Sequence, residues 1–256
     1  MSTPILRIQN LQCHFGGLRA LDGASFDVSA KKVTGLIGPN GAGKTTLFNC
    51  ISGLLPKTAG TVVFKGVDIS TNSPDKITNR GLMRTFQLAR GCPRMTVFEH
   101  LMLYGRSQSG EGVFTALISG KKVSLEEAEL REKALSLAKR LKLDHVLDNL
   151  VTALSGGQKK LLEIGRALMS EPELILLDEP MAGVNPALVE QIAEHLKDIR
   201  ARGCSILLIE HEMALIEALC DDVVVMAEGK FLTRGSFAEI ACNKTVQEAY
   251  LGMKRS

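Results

Sequence analysis

The residues best suited to chemistry lie in a glycine-rich segment that follows the pattern G-x-x-x-x-G-K-T. Its members are Gly38, Pro39, Asn40, Gly41, Ala42, Gly43, Lys44 and Thr45, and Thr46 comes directly after them. Glycines let the backbone curl so that its N–H groups point at phosphate oxygens, and a following helix adds its positive end. Lys44 can reach terminal phosphates, and the Thr45 hydroxyl can ligate Mg²⁺, which prefers oxygen ligands. The segment therefore predicts a nucleotide-binding site, in a transporter ATPase, a GTPase or a small-molecule kinase.

A pair of acidic residues farther along the chain could complete this site. Asp178 and Glu179 directly follow the apolar run 174–177, which is typical of a buried strand. At the end of such a strand, Asp178 could hold Mg²⁺ through water, and Glu179 could orient or deprotonate an attacking water. The alternative is a core strand followed by a solvated acidic turn, but the phosphate-binding segment upstream favours a hydrolytic role.

Alternating strands and helices are predicted around these residues. Three runs are apolar on successive residues, as in strands buried on both faces of a parallel sheet, and they are 33–37, 174–177 and 205–209. Shorter β-branched runs predict further strands at 61–64 and 223–226. Helical patterns lie between the strands, at 44–52, 157–169, 186–201 and 212–220. This alternation predicts an α/β core.

The stretch from about residue 88 to about residue 150 has a different pattern. Convincing strands are absent from it, and apolar positions recur at helical spacing from Ser124 to Leu143. Glu126 and Glu127, which follow Ser124, suit the positive end of a helix. We interpret the stretch as a mostly helical subdomain inserted into the α/β core.

Composition limits the remaining functional classes. The 256 residues are 45% hydrophobic and 23% charged, and a net charge of +3 is too small for a protein that mainly grips nucleic acid. No signal-peptide pattern and no run of 18 apolar residues occur, so we expect a soluble protein that acts at a membrane only through a partner. The six cysteines are scattered without metal-site spacing, as in a reduced cytosolic protein.

One further motif points to a family. Leu154, Ser155, Gly156, Gly157 and Gln158 resemble the LSGGQ signature of ABC ATPases, and they precede a helical run upstream of the acidic pair. The Ser155 hydroxyl and the N–H groups of the two glycines could bind an anion at the start of that helix. In the family, this signature in one subunit completes the ATP site of another, and two chains pack head to tail around two nucleotides.

The resemblance implies a fold, ligands and a division of the chain. It covers nearly all of residues 1–256 as a single ABC ATPase domain, with a P-loop NTPase (RecA-like) α/β core, an antiparallel β portion and a helical subdomain. The expected division is a nucleotide-binding core, 1–87 and 159–256, and a helical subdomain that includes the signature, 88–158. The implied ligands are ATP and Mg²⁺, and the implied reaction is ATP hydrolysis.

Other positions match the family residue by residue. Gln87 resembles the glutamine that touches Mg²⁺ and opens the helical subdomain, and His211 resembles the histidine that contacts the γ-phosphate. Phe15 resembles the aromatic residue that stacks on adenine, although a core position is the alternative for it. Asn185 stands where many members carry aspartate, so a carboxylate's role is not carried over to it.

Several segments are similar to the ATPases of branched-chain amino acid importers. They are Phe15 to Leu18, Arg84 to Gln87, Gly112 to Phe114, Gly183 to Pro186 and Ala249 to Gly252. The resemblance implies a second ABC ATPase subunit, transmembrane permease subunits and, indirectly, a substrate-binding protein as partners, with the chain at the cytoplasmic face of the inner membrane. No nucleic acid is expected as a partner. The alternatives are the motor of a lipid or lipopolysaccharide exporter and a soluble ABC ATPase that acts on nucleic acid or ribosomes.

Overall fold

The structure is a computed structural model, and its described residues are 3–85, 93–105 and 120–252. The chain packs as two compact units. The first contains Met1–Arg84, Pro172–Ala182 and Ala193–Ser256, and the second contains Thr85–Glu171 and Gly183–Ile192. Two predictions, the Mg²⁺-binding role of Gln87 and the importer-like segment 112–114, fall on residues outside the described ranges.

The first unit contains two β-sheets. In chain order the strands are β1 (Pro4–Phe15), β2 (Leu18–Ser29), β3 (Val33–Ile37), β4 (Ala59–Phe64), β5 (Val67–Asp68), β6 (Leu82–Arg84), β7 (Leu174–Asp178), β8 (Ser205–Ile209), β9 (Asp222–Ala227) and β10 (Lys230–Gly235). One sheet has the order β10-β9-β3-β8-β7-β6, and its neighbours are parallel except for β10 and β9. The other, β2-β1-β4-β5, is antiparallel throughout.

Helices follow the parallel strands β3, β7 and β8. In chain order the helices are α1 (Lys44–Ile51), α2 (Pro74–Asn79), α3 (Val97–Leu103), α4 (Gly120–Arg140), α5 (Gly156–Met169), α6 (Pro186–Ala201), α7 (Met213–Leu219), α8 (Phe237–Ala241) and α9 (Lys244–Gly252). The predicted helices that became α1, α5, α6 and α7 are confirmed to within one residue at each end. The helix predicted from Ser124 begins earlier, at Gly120.

The central parallel strands are completely buried, which explains their continuous apolar runs. Every residue of β3 and β8 is buried, as are the first four of β7. Phe48 of α1 and Phe64 of β4 belong to the same core cluster as side chains of these strands. Because β8 pairs in parallel with both β3 and β7, the carboxyl ends of the three strands lie side by side. The segments that begin at Gly38, Glu179 and Glu210 are therefore neighbours at one edge of the sheet.

The second unit is largely helical. Helix α5 packs against its neighbours closely enough that a side chain at Gly165 would meet Leu141 at 2.9 Å and Leu101 at 3.1 Å. Residues 159–169 of α5 therefore group with the helices, whereas the expected division assigned them to the nucleotide-binding core. The physical reason is that α5 has a buried apolar face and contacts the helices α3 and α4 of this unit. Within the described ranges, no helix has both the length and the apolar character needed to cross a bilayer.

Candidate functional site

The glycine-rich segment links β3 to α1 and turns tightly. Gly38 has φ +152°, and a side chain there would come within 2.1 Å of the Met226 carbonyl oxygen. Gly43, directly before α1, has φ +92°, and a side chain there would meet the Ala20 carbonyl oxygen at 2.4 Å. Both positions therefore require glycine. The turn leads into the N-terminus of α1, where backbone N–H groups can bind an anion.

Gly43→Ala should destabilise the protein more than Gly41→Ala. Both glycines have left-handed φ values, +92° and +80°, so alanine costs about 1 kcal/mol at either position. Only at Gly43 does the new methyl group also meet a backbone oxygen. At Gly41 no described residue other than the two chain neighbours comes within 4 Å of it. We expect urea unfolding to show an additional loss of about 2 kcal/mol for Gly43→Ala. Equal losses for the two variants would contradict this packing.

Lys44 begins α1 and is nearly fully buried, with 7% exposure. Its Nζ donates hydrogen bonds to the carbonyl oxygens of Gly38 at 2.7 Å and Pro39 at 3.0 Å. Burial lowers the pKa of the Lys44 ammonium, and the carboxylates of Glu179 and Asp178 oppose this effect. The Lys44 ammonium is thus held inside the loop, so its side chain needs little reorganisation to bind an anion.

A cleft of about 570 Å³ opens beside the loop. All residues from Asn40 to Thr46 line it, and so do Phe15, Glu179 and His211. The remaining lining residues, which were not predicted from sequence as binding residues, are Leu18, Arg19, Ala20 and Glu228. Phe15 is 50% exposed, which places it at the surface of the cleft rather than in the core. The cleft suits a ligand with a flat apolar end and an anionic end.

Glu179 and His211 contact each other in the wall of the cleft. The His211 Nε2 atom lies 2.7 Å from Glu179 Oε1, and the two side chains are 45% and 43% exposed. Glu179 has φ +48°, a left-handed conformation that is uncommon for residues other than glycine. Its N–H donates to the Ile209 carbonyl oxygen at 3.0 Å, which ties this conformation to β8. A carboxylate that belongs to a residue with a strained backbone and contacts an imidazole in a cleft is typical of a functional site.

Asp178 ends β7 and pairs with Arg84, a residue for which no role was predicted from sequence. The Arg84 Nη2 atom lies 3.1 Å from Asp178 Oδ2, and the guanidinium also donates to Asn49 Oδ1 and lies 5.7 Å from the centre of the Phe48 ring. Burial raises the pKa of Asp178, and Arg84 opposes this rise. Arg84 thereby ties the end of β7 to α1, and its sequence signal was its place in an importer-like segment.

The oxygen atoms of Thr45 and Asp178 fit the requirements of Mg²⁺. A hydroxyl and a carboxylate are ligands that this ion prefers, and it usually keeps several waters and takes phosphate oxygens as well. Thr45 is exposed in the cleft, and Asp178 is half-buried at the end of β7. Within the part of the chain that the structure describes, no group of three or more His, Cys, Asp or Glu side chains could hold a metal by itself. The residues therefore suit a metal that arrives with a nucleotide.

The signature residues form the N-terminus of α5 in the second unit. Ser155 caps this helix, because its Oγ accepts the Gln158 N–H at 3.2 Å and the Gln158 Oε1 accepts the Ser155 N–H at 2.9 Å. Gly157 is buried against Leu188, whose Cδ2 would lie 1.4 Å from an added Cβ. Ser155 and Gly156 are exposed, so they present a helix N-terminus at the surface where an anion can bind.

Asn185 has a structural role at the start of α6. Its Oδ1 accepts the Leu188 N–H at 3.0 Å, which is the hydrogen bond of a helix N-cap. Aspartate can make the same bond, so the departure from the family pattern at this position preserves the start of the helix.

The chain is similar to known proteins over nearly its whole length. A family model described as ABC transporter matches residues 21–182. LivG of Archaeoglobus fulgidus, named a probable branched-chain amino acid transport ATP-binding protein, is 40% identical over 98% of this chain and 97% of its own. LivG of Salmonella typhimurium, named a high-affinity branched-chain amino acid transport ATP-binding protein, is 35% identical over 98% of this chain and 99% of its own.

Solved structures give the same result. A nucleotide-free ATP-binding cassette from an ABC transporter has a TM-score of 0.84 and 39% identity, covering 97% of this chain and 99% of its own. The ADP conformation of an ATP-binding cassette of an ABC transporter has a TM-score of 0.83 and 37% identity, covering 98% and 100%. The predicted fold class is confirmed by these structures, and the predicted family is confirmed by the sequence matches. This chain therefore belongs to the ABC transporter family.

Proposed function

We propose that this chain is the ATP-binding and ATP-hydrolysing motor subunit of an importer for branched-chain or other hydrophobic amino acids. The observation that carries the proposal is a single cleft lined both by Lys44 and Thr45 of the phosphate loop and by the Glu179–His211 pair. The similarity to LivG over nearly the whole chain supports the cargo class.

ATP would lie along this cleft with its triphosphate in the loop. The backbone N–H groups of 38–46 and the Lys44 ammonium would bind the phosphate oxygens. Phe15, which is exposed and lines the same cleft, would stack on the adenine ring. The terminal phosphate would then lie toward Glu179 and His211, which line the cleft as well.

Hydrolysis would depend on Glu179 as general base. Its carboxylate would orient and deprotonate the attacking water, while His211 would hold the carboxylate and contact the γ-phosphate. Thr45 and Asp178 would hold Mg²⁺, with Gln87 as a further predicted ligand, and the bound ion would neutralise phosphate charge.

Two such subunits would pack head to tail, with Ser155, Gly156, Gly157 and Gln158 of each completing the ATP site of the other. ATP binding then favours the closed pair, and loss of the γ-phosphate lets the pair open. The helical subdomain would pass this motion to transmembrane permease subunits at the cytoplasmic face of the membrane, and a substrate-binding protein would deliver the cargo to the permease.

Ser155→Ala should impair ATP hydrolysis, and Ser236→Ala is its matched control. Each serine closes a capping box, at α5 and α8, so each variant should lose about 1 kcal/mol of unfolding free energy. The Ser155 hydroxyl accepts the Gln158 N–H and still has a proton to donate to a phosphate of the second subunit's nucleotide. We expect kcat to fall at least about tenfold in Ser155→Ala alone, measured by phosphate release. Equal kcat in both variants would contradict the proposed role.

The transport assignment can be tested with native membranes. The tagged chain should co-purify with membrane permease subunits, and the reconstituted complex should take up leucine in an ATP-dependent manner when a substrate-binding protein is added. ATP-dependent lipid release without leucine uptake would indicate an exporter. Co-purification with ribosomes instead of membrane subunits would indicate a soluble ABC ATPase.

A further inference from the structure

Glu210 is a buried carboxylate that directly follows β8. It is 5% exposed, and it follows a strand in which every residue is buried. Burial raises the pKa of its carboxyl group, and the nearby Glu179 carboxylate raises it further, while hydrogen bonds from Met181 and His211 oppose the rise. Burying an acidic side chain costs free energy unless its oxygens are hydrogen-bonded. The hydrogen-bond partners of Glu210 therefore indicate its role.

Both oxygens of Glu210 accept backbone hydrogen bonds. Oε1 accepts the Met181 N–H at 3.0 Å, and Oε2 accepts the His211 N–H at 3.3 Å. Met181 lies in a turn closed by the Ala182 N–H, which donates to the Glu179 carbonyl oxygen at 3.2 Å. The Met181 amide is thus an interior amide of the turn that carries Glu179, and Glu210 binds it from the neighbouring strand end.

The same two segments are joined by further hydrogen bonds. The Glu179 N–H donates to the Ile209 carbonyl oxygen, and the His211 Nε2 atom contacts the Glu179 carboxylate. Glu210 lies at the centre of this set, because its carboxylate bonds to the main chain on both sides of the Glu179–His211 contact.

We propose that Glu210 is a positioning residue for ATP hydrolysis, which holds the 179–182 turn and residue 211 together so that the Glu179 and His211 side chains meet. This inference rests on the proposed function of those two residues. A glutamine at 210 could not accept both backbone hydrogen bonds. Its amide has one acceptor oxygen, and its NH₂ group would face the second N–H donor.

Steady-state hydrolysis separates positioning from binding. In Glu210→Gln we expect kcat to fall about 10-fold to 100-fold, as for a catalytic group displaced by about 1 Å. The affinity for a non-hydrolysable ATP analogue should stay within about threefold, because the phosphate loop is not altered. Glu173→Gln is the matched control, since it removes one carboxylate of the same unit that is exposed and paired with Lys65. An unchanged kcat in Glu210→Gln would overturn the proposal.

A double-mutant cycle tests whether Glu210 acts through His211. Because both changes disrupt one arrangement, Glu210→Gln should lower kcat much less in a His211→Ala background than in the wild type. Full additivity of the two losses would overturn the proposal. Wild-type chain without any ATPase activity would instead contradict the proposed function itself.

Amide hydrogen exchange provides a test that does not depend on the stability of a variant. In the wild-type chain the Met181 and His211 amides should exchange slowly, as buried hydrogen-bonded groups do. In Glu210→Gln both should exchange at least about tenfold faster, while amides of β3 stay protected. Fast exchange of the Met181 amide in the wild type would overturn the proposal even if Glu210→Gln fails to fold.

Discussion

Glu179→Gln should remove nearly all ATP hydrolysis while leaving ATP binding intact. Glutamine preserves the size of the side chain and can still contact His211, but it cannot take a proton from water. A lost general base lowers kcat by about 10²-fold to 10⁴-fold, which sets the expected effect. With ATP bound and not hydrolysed, the closed dimer should accumulate. Phosphate release, ATP-analogue binding and size-exclusion chromatography with Mg·ATP measure the three outcomes.

Glu171→Gln is a control for this experiment. Glu171 is exposed, has φ +49° and does not line the cleft, so it matches Glu179 in charge and backbone conformation but lies outside the proposed nucleotide site. Its carboxylate pairs with Lys133, and its variant should keep wild-type turnover. Full turnover in Glu179→Gln would contradict the assignment of the base, and a strictly monomeric Glu179→Gln with Mg·ATP would contradict the shared nucleotide site.

Lys44→Ala should weaken ATP binding by about 10-fold to 100-fold or more. Lys44 is the buried cation of the loop, and charge-assisted hydrogen bonds to phosphate are among the strongest single contacts in such a site. Its removal also leaves the carbonyl oxygens of Gly38 and Pro39 without the Lys44 donor. Calorimetric titration with a non-hydrolysable ATP analogue measures the change.

Lys197→Ala controls for the loss of a positive charge. Lys197 is exposed and pairs with Glu194 on α6, so its removal should not change nucleotide affinity. A folded Lys44→Ala variant, shown by an unchanged circular dichroism spectrum, that binds ATP as tightly as Lys197→Ala would contradict the proposed phosphate loop.

The centre of the fold was predictable because burial on both faces of a strand requires successive apolar residues. The runs 33–37 and 205–209 coincide with β3 and β8, and the run 174–177 is β7 without Asp178. The phosphate loop and the acidic pair directly follow buried apolar runs, and the signature lies at the start of a helix. The ABC family and the ATPase activity that these motifs imply are confirmed by the comparisons.

The long antiparallel strands were not predictable from pattern. β1 and β2 mix buried, half-buried and exposed positions, and their pairing contains several register shifts. Each shift breaks the alternation by which a half-exposed strand is recognised. Phe15 ends β1, so its place in the cleft was predicted only through the resemblance to the family.

The positioning contacts of Arg84 and Glu210 emerged only from the structure. Arg84 pairs with Asp178 at a separation of 94 residues, and Glu210 binds the Met181 amide at a separation of 29 residues. Both contacts depend on the order in which strands lie in the sheet, and local patterns do not specify that order. The residues proposed to carry the chemistry could be selected from sequence, whereas the contacts that hold them in place could not.

The left-handed backbone at Glu179 creates a conflict between thermal stability and ATP turnover at this residue. Glycine or asparagine adopts such a conformation more easily than glutamate, by about 1 kcal/mol, and either one also removes a carboxylate near the buried Glu210. A directed-evolution screen that scores thermal tolerance alone would therefore enrich inactive chains altered at residue 179. Selection for a more robust motor has to include an activity assay in every round.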